Sequence, residues 1–240
     1  MFRHVIARSL MTQFHRIFKC IILMIYFAPN RWSSIEKLVM CMKKLILYGD
    51  SNTYGYDPER MGMRYPEGVR WASLVAQSLR DEYEVVNEGM NGRPLPVLPY
   101  DERYLNKMLS DMAEDDVLIM MLGTNDILLT NRPDAASAIM RMDAFLSSPM
   151  IQQRVFQMMV IAPPHVGAGE KSMHRYYEES IKMNEGFRAL CSKKKVHFAN
   201  SAEWNIPISY DMAHFTAEGH RIFSECVLRE LRNLAAWDTT

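Results

Sequence analysis

Apolar residues fall along this chain in two alternating rhythms. Short unbroken apolar runs of four to six residues, of the kind a fully buried strand shows, occur at Leu45–Tyr48, Val117–Leu122 and within Val155–Ile161. Two shorter runs, Tyr83–Asn87 and Val196–Ala199, complete a set of five expected strands. Between them apolar residues recur at helical spacing: Trp71, Leu74, Val75 and Leu79; Tyr104, Leu105, Met108, Leu109 and Met112; Ala136, Ile139, Met142 and Phe145, in a helix opened by Pro133; and Ile181, Met183, Phe187 and Leu190, ending near Lys193–Lys195. A last helix runs through Ile222, Phe223, Val227, Leu228 and Leu231, with Thr216 as its N-cap. Pro and Gly punctuation makes loops of 54–68 and 91–99. The first of these loops is expected to wall a pocket.

Strands alternating with helices of this length predict an α/β fold, a three-layer α/β/α sandwich. Five strands suit a parallel sheet of flavodoxin-like order 2-1-3-4-5. In such sheets ligands gather beyond the C-terminal strand ends, so the polar residues that interrupt each run become candidates. The first run stops at Gly49-Asp50-Ser51-Asn52-Thr53. Asn87-Glu88-Gly89-Met90-Asn91-Gly92 follows the second, and Gly123-Thr124-Asn125-Asp126 the third. Asp211-Met212-Ala213-His214 precedes the final helix.

In that order, these four blocks make the chain resemble the SGNH (GDSL-type) hydrolase family over about Met42 to the last helix. The longer matches Gly-Asp-Ser-x-Thr-Tyr-Gly and Met-Leu-Gly-Thr-Asn-Asp are most similar to its small arylesterase and acetylesterase branch. The resemblance implies the same three-layer fold and a serine esterase. Ser51 would be the nucleophile, His214 its base and Asp211 the acid that orients it. The oxyanion hole would come from the N–H groups of Ser51 and Gly89 and the side chain of Asn125. Gly92 competes locally with Gly89, which sits nearer the strand end. Asn52 departs from the family name, which has Leu there, and this bears on substrate rather than on chemistry.

The residue types suit that chemistry. A serine hydroxyl attacks a carbonyl only if a base takes its proton, and histidine titrates close to neutrality. An Asp three residues earlier lets one turn supply base and orienting group. Asp50, Thr53 and Asp126 are expected to brace the loops by hydrogen bonding. Tyr54, Tyr56, Trp71, Tyr100, Ile127 and His165 are candidates for the pocket lining. The alternatives are a carbohydrate O-deacetylase with the same machinery and a flavodoxin-like protein holding FMN phosphate on Ser51–Gly55.

Composition narrows the partners. Lys plus Arg and Asp plus Glu number 28 each, so no whole-protein field favours nucleic acid. Cys20, Cys41, Cys191 and Cys226 form no Cys-x-x-Cys, so neither a zinc knuckle nor a disulfide framework is suggested, and reduced thiols are the default. His174, His197 and His220 show no metal-ligand spacing with a nearby Glu, so no metal or other cofactor is expected. The expected partner is a small-molecule ester, and homo-oligomerisation is left open.

Residues 1–41 read differently from 42–240. Six basic residues face one acid, Glu36, and an apolar run covers 20–28. That run is short for a span of ~20 residues, and no small-x-small cleavage site follows it. The expectation is a leader outside the fold, with the hydrolase domain in 42–240 and a cytoplasmic location. Export or membrane anchoring through 1–41 is the alternative, and membrane contact depends on that leader.

Overall fold

The computed structural model describes residues 42–237; the leader and its apolar run lie outside the described residues. Five strands form one parallel sheet: β1 (Lys43–Gly49), β2 (Tyr83–Gly89), β3 (Val117–Met121), β4 (Gln157–Ala162) and β5 (His197–Asn200), in the order β2-β1-β3-β4-β5. This is the expected α/β order. The principal helices are α1 (Ser51–Tyr54), α2 (Trp71–Ser78), α3 (Glu102–Leu109), α4 (Thr124–Leu128), α5 (Ala135–Ser147), α6 (Pro149–Gln152), α7 (His174–Lys194) and α8 (Ala217–Trp237). Among the described residues no helix is long and apolar enough to cross a membrane.

The unbroken apolar runs have a direct explanation. Strand side chains alternate between faces, and both faces of this sheet are covered. Ile46, Tyr48, Leu118, Met120, Met158 and Val160 pack on one face with residues of α3, α5 and α7. Leu45, Leu47, Val117, Ile119, Met159 and Ile161 pack on the other with α2 and α8. Each side chain of that size adds about 1.5–3 kcal/mol when fully buried, so the central strands carry much of the core.

The chain reverses direction in the sheet at β1. It passes from β1 outward to β2, then back across β1 to β3. Right-handed crossovers therefore put α2 on one face and α3 on the other. A crevice opens between the C-terminal ends of β1 and β3, and residues following both strands border it.

Element ends depart from the expectations where local hydrogen bonding intervenes. α5 begins at Ala135 rather than Pro133, because the Asp134 side chain accepts from Ala136 N and Ser137 N. The short α1, α4 and α6 carry too few apolar positions to show a period. β2 extends to Gly89, where Gly89 pairs with Gly49 instead of following the strand.

The corner between β1 and α1 is tight. Asp50 caps α1, its Oδ1 accepting from Asn52 N at 3.0 Å. Gly55, at φ 90°, closes the helix in the left-handed region. A Cβ on Gly89 would lie 2.1 Å from Tyr54 N and 2.5 Å from Thr53 C, so β2 and α1 touch backbone to backbone. Burial pushes the Asp50 carboxyl up to about 6 despite the Asn52 N–H.

Two predictions follow from this corner. Gly89→Ala forces α1 off β2, so we expect a loss of about 1–3 kcal/mol, or roughly 3–10 °C in Tm for a chain of this size. Thermal unfolding that leaves Tm within a degree of wild type would contradict the contact. Asp50, with its folded pKa raised, contributes stability that is present below ~pH 4 and lost as pH rises through about 6. Asp50→Asn keeps the cap acceptor and cannot ionise. Its stability relative to wild type should therefore rise between pH 4 and pH 8, by an amount on the order of 3 kcal/mol. Denaturant titrations at the two pH values measure it, and a difference of opposite sign would overturn the assignment.

Candidate active site

Ser51 is the first residue of α1, immediately past the buried end of β1. The strand-to-helix turn leaves its side chain half-exposed on the crevice. His214 comes from the other end of the chain, on a loop closed by an Ile208–Phe215 bridge. Its Nε2 lies 2.8 Å from Ser51 Oγ. Its Nδ1 lies 2.6 Å from Asp211 Oδ2. The carboxylate fixes the proton on Nδ1, so in the neutral ring Nε2 is left to accept from the serine hydroxyl.

Asp211 is itself held. Its Oδ1 accepts from Ala213 N at 3.1 Å and His214 N at 3.0 Å. Burial works to raise this carboxyl, but the bonds from the His214 ring and the two N–H groups outweigh it and bring it down to about 2. It is therefore ionised at neutral pH. Tyr56 lies against the His214 ring at 4.6 Å between centroids. Met212 takes a left-handed φ of 61°, and its carbonyl accepts from Gly167 N on the loop after β4. Phe215 packs on Phe223 at 5.0 Å and so anchors the loop to α8.

The second block behaves differently from the expectation for Gly89. Its N–H donates to Asn87 Oδ1 at 2.8 Å. That group is spent inside β2 and is not available to a substrate. Gly89 is glycine because α1 packs against it. Gly92, three residues on, is placed differently. Arg93 N donates to Met90 O, closing a four-residue turn that does not use the Gly92 N–H. Gly92 sits at φ 72°, exposed, in open space. Asn125, at the start of α4, donates one Nδ2 hydrogen to Arg93 O at 3.0 Å. An amide has two such hydrogens, so one remains.

The turn at 90–93 is gripped from several sides. Gly49 O accepts from Met90 N at 3.1 Å and from Arg93 Nη1 at 3.0 Å. Arg93 also donates to Glu88 O, and its guanidinium covers the Tyr48 ring at 4.3 Å. Asp126 Oδ2 accepts from Leu95 N at 2.8 Å, while its Oδ1 takes Arg141 Nη1 at 2.8 Å. Burial raises the Asp126 carboxyl. Asp126 thus braces the loop as expected, and Asp50 braces α1. Thr53 braces by packing on Gly49 and through its carbonyl, which accepts from Asn87 Nδ2 at 3.0 Å; its hydroxyl makes no hydrogen bond.

Other pocket candidates scatter. Trp71 is 1% exposed and Ile127 0% exposed, so neither lines a pocket. Trp71 instead packs on Phe223, its Nε1 donating to Asn52 O at 2.9 Å, and Ile127 is core. Tyr54 stacks under Arg64, Tyr100 stands 87% exposed, and His165 meets Tyr177 edge-on, its ring lowered by burial. Arg93 and Asn87 were missed. Nothing in the sequence distinguishes an inward-turned arginine from a surface one. The phosphate-cradle alternative is disfavoured, because the N-terminus of α1 already carries the Asp50 carboxyl, which would repel phosphate.

Comparison with known proteins gives the same picture. Residues 47–222 match the family model of the GDSL-like lipase/acylhydrolases. No curated protein sequence matches the chain. An Agrobacterium tumefaciens protein assigned as an arylesterase is 26% identical, with a TM-score of 0.66 over 80% of this chain and 100% of that one. The M. Smegmatis aryl esterase is 24% identical, with a TM-score of 0.65 over 80% and 99%. A carbohydrate acetylesterase from Sinorhizobium meliloti is 23% identical, also with a TM-score of 0.65 over 80% and 99%. The last two likenesses bear on the fold alone. A serine at the end of β1 bonded to the histidine of an Asp-x-x-His turn, on this sheet and under this family match, makes the chain a member of the GDSL-like lipase/acylhydrolase family and a carboxylic ester hydrolase.

Proposed function

We propose that the chain hydrolyses small acyl esters through an acyl-enzyme on Ser51. The observation that carries the reading is the pair of hydrogen bonds through His214, 2.8 Å to Ser51 Oγ and 2.6 Å to Asp211 Oδ2. His214 takes the hydroxyl proton as Ser51 attacks the carbonyl carbon, and returns it to the departing alcohol. Water then attacks the acyl carbon as His214 takes its proton, and His214 returns that proton to Ser51 Oγ as the acyl–oxygen bond breaks and the acid leaves. Asp211, ionised throughout, holds the ring and stabilises the imidazolium.

The oxyanion formed in each half-reaction is met by the Ser51 N–H, the Gly92 N–H and the remaining hydrogen of Asn125 Nδ2. Gly92 takes the role first expected of Gly89, for the reasons of hydrogen bonding given above. The first N–H groups of a helix have no partner within it, which leaves that of Ser51 for the substrate. The acyl group is acetyl or similarly small and the alcohol an aryl or alkyl group. Acetylated sugars form the second substrate class, since the same three side chains would act on any acetyl ester. We place the working domain in 42–240, with residues 1–41 outside it.

Ser51→Ala should abolish hydrolysis of phenyl acetate and of acetylated sugars alike, and a serine-directed fluorophosphonate should label Ser51 alone. An adduct on another residue, identified by mass spectrometry, would remove Ser51 from the reaction. His214→Ala should eliminate both nearly all activity and the rise of rate with pH. Asn125→Ala should keep that rise while kcat falls by roughly 10²–10³, with KM changed much less. A variant whose KM rises while kcat stays near wild type would make Asn125 a binding residue. A chain begun at Met42 should fold and hydrolyse esters at the full rate; loss of soluble protein would mean that 1–41 packs on the domain.

A further inference from the structure

We propose that Asn52 is a positioning residue for the histidine base. It stands where the family's name carries a leucine, and its place in the structure concerns the reaction rather than the substrate. Asn52 is 3% exposed, on the inner side of α1. Its Nδ2 donates to Ala213 O at 3.0 Å, and its Oδ1 accepts from Phe215 N at 2.9 Å. Ala213 and Phe215 are the two neighbours of His214. One side chain therefore holds the backbone on both sides of the base, from the residue next to the nucleophile.

The geometry has a chemical consequence. Ser51 and Asn52 are consecutive in a capped helical turn, so they move together. Fixing Ala213 and Phe215 to Asn52 fixes His214 to Ser51, across 163 residues of chain. The Asp211 carboxylate orients the ring within its own loop, but it cannot set the distance between that loop and α1. Asn52 supplies that distance, and it is itself seated by Trp71 Nε1 on its carbonyl. A leucine of similar size fills the space and leaves the Ala213 carbonyl and the Phe215 N–H without partners. The loop would then relax away from α1, and a shift of about 1 Å at reacting groups can cost ~10²-fold in rate.

This inference rests on His214 being the base, and the test keeps the two apart. Asn52→Leu, His214→Ala and the double variant are compared with wild type on one soluble acetate ester, with Tm recorded for each. We expect Asn52→Leu to fold and to lose roughly 10- to 100-fold in kcat, with KM within about threefold. In the His214→Ala background the same substitution should change the residual rate by less than about threefold, since it acts through a base no longer there. If Asn52→Leu does not yield folded protein, Asn52→Ser leaves room for water to pair the two groups and should show a smaller loss of kcat at unchanged KM. Wild-type kcat in a folded Asn52 variant would overturn the proposal, as would an equal loss in the His214→Ala background. Full activity of His214→Ala would instead overturn the base assignment, and this inference with it.

Discussion

A proton passes between serine and histidine only across a hydrogen bond, and here that bond joins residues 51 and 214. Neither residue can supply it alone. Ser51 rides on a four-residue helix and His214 on a six-residue loop, and neither element has enough local structure to be stable in isolation. Each is fixed by contacts made elsewhere. α1 is clamped between the backbone of Gly89 and the end of β1, and the His214 loop is tied to α1, α8 and the loop after β4. The rest of the molecule holds these two short pieces at 2.8 Å.

The electrostatics divide the carboxylates around that bond. Asp211 is half-buried and its hydrogen bonds outweigh burial, while for Asp50 complete burial outweighs its hydrogen bonds and pushes the carboxyl up to about 6. The first suits the role proposed for Asp211. The second shows the cost of putting a short polar cap at the end of a buried strand. Asp126 lies between the two: buried, but paired with Arg141 and Leu95. These differences arise from the balance of burial against hydrogen bonding, since all three are the same residue type.

The turn at 90–93 shows how the ends of neighbouring strands are tied together at the proposed site. Arg93 bridges the ends of β1 and β2 through Gly49 O and Glu88 O, and its own carbonyl receives Asn125. Three consecutive strands are thereby locked at their C-terminal ends. Gly92, in the left-handed region and exposed, lets the turn close without opening the sheet. Gly89, nearer the strand end, is consumed by pairing and packing.

The sequence by itself determined the architecture. Apolar runs at 45–48, 117–122 and 155–161 announce strands buried on both faces, and helical spacing between them requires a parallel sheet, because each is a one-dimensional periodic signal. Order along the chain also put Ser51, Asn125 and the Asp211–His214 pair beyond strand ends or before the last helix. What the sequence could not carry was the direction of individual groups. Gly89 and Gly92 are three residues apart and chemically identical; only the strand register and the Asn87 side chain decide which N–H stays open. Trp71 and Ile127 are candidates for the lining by sequence, yet the packing of α2 and α4 turns them into the core. Asn52 and Arg93 act through partners distant in the chain or through an inward-turned side chain. Such partners are chosen when helices and loops settle on the sheet, and no local pattern records that choice.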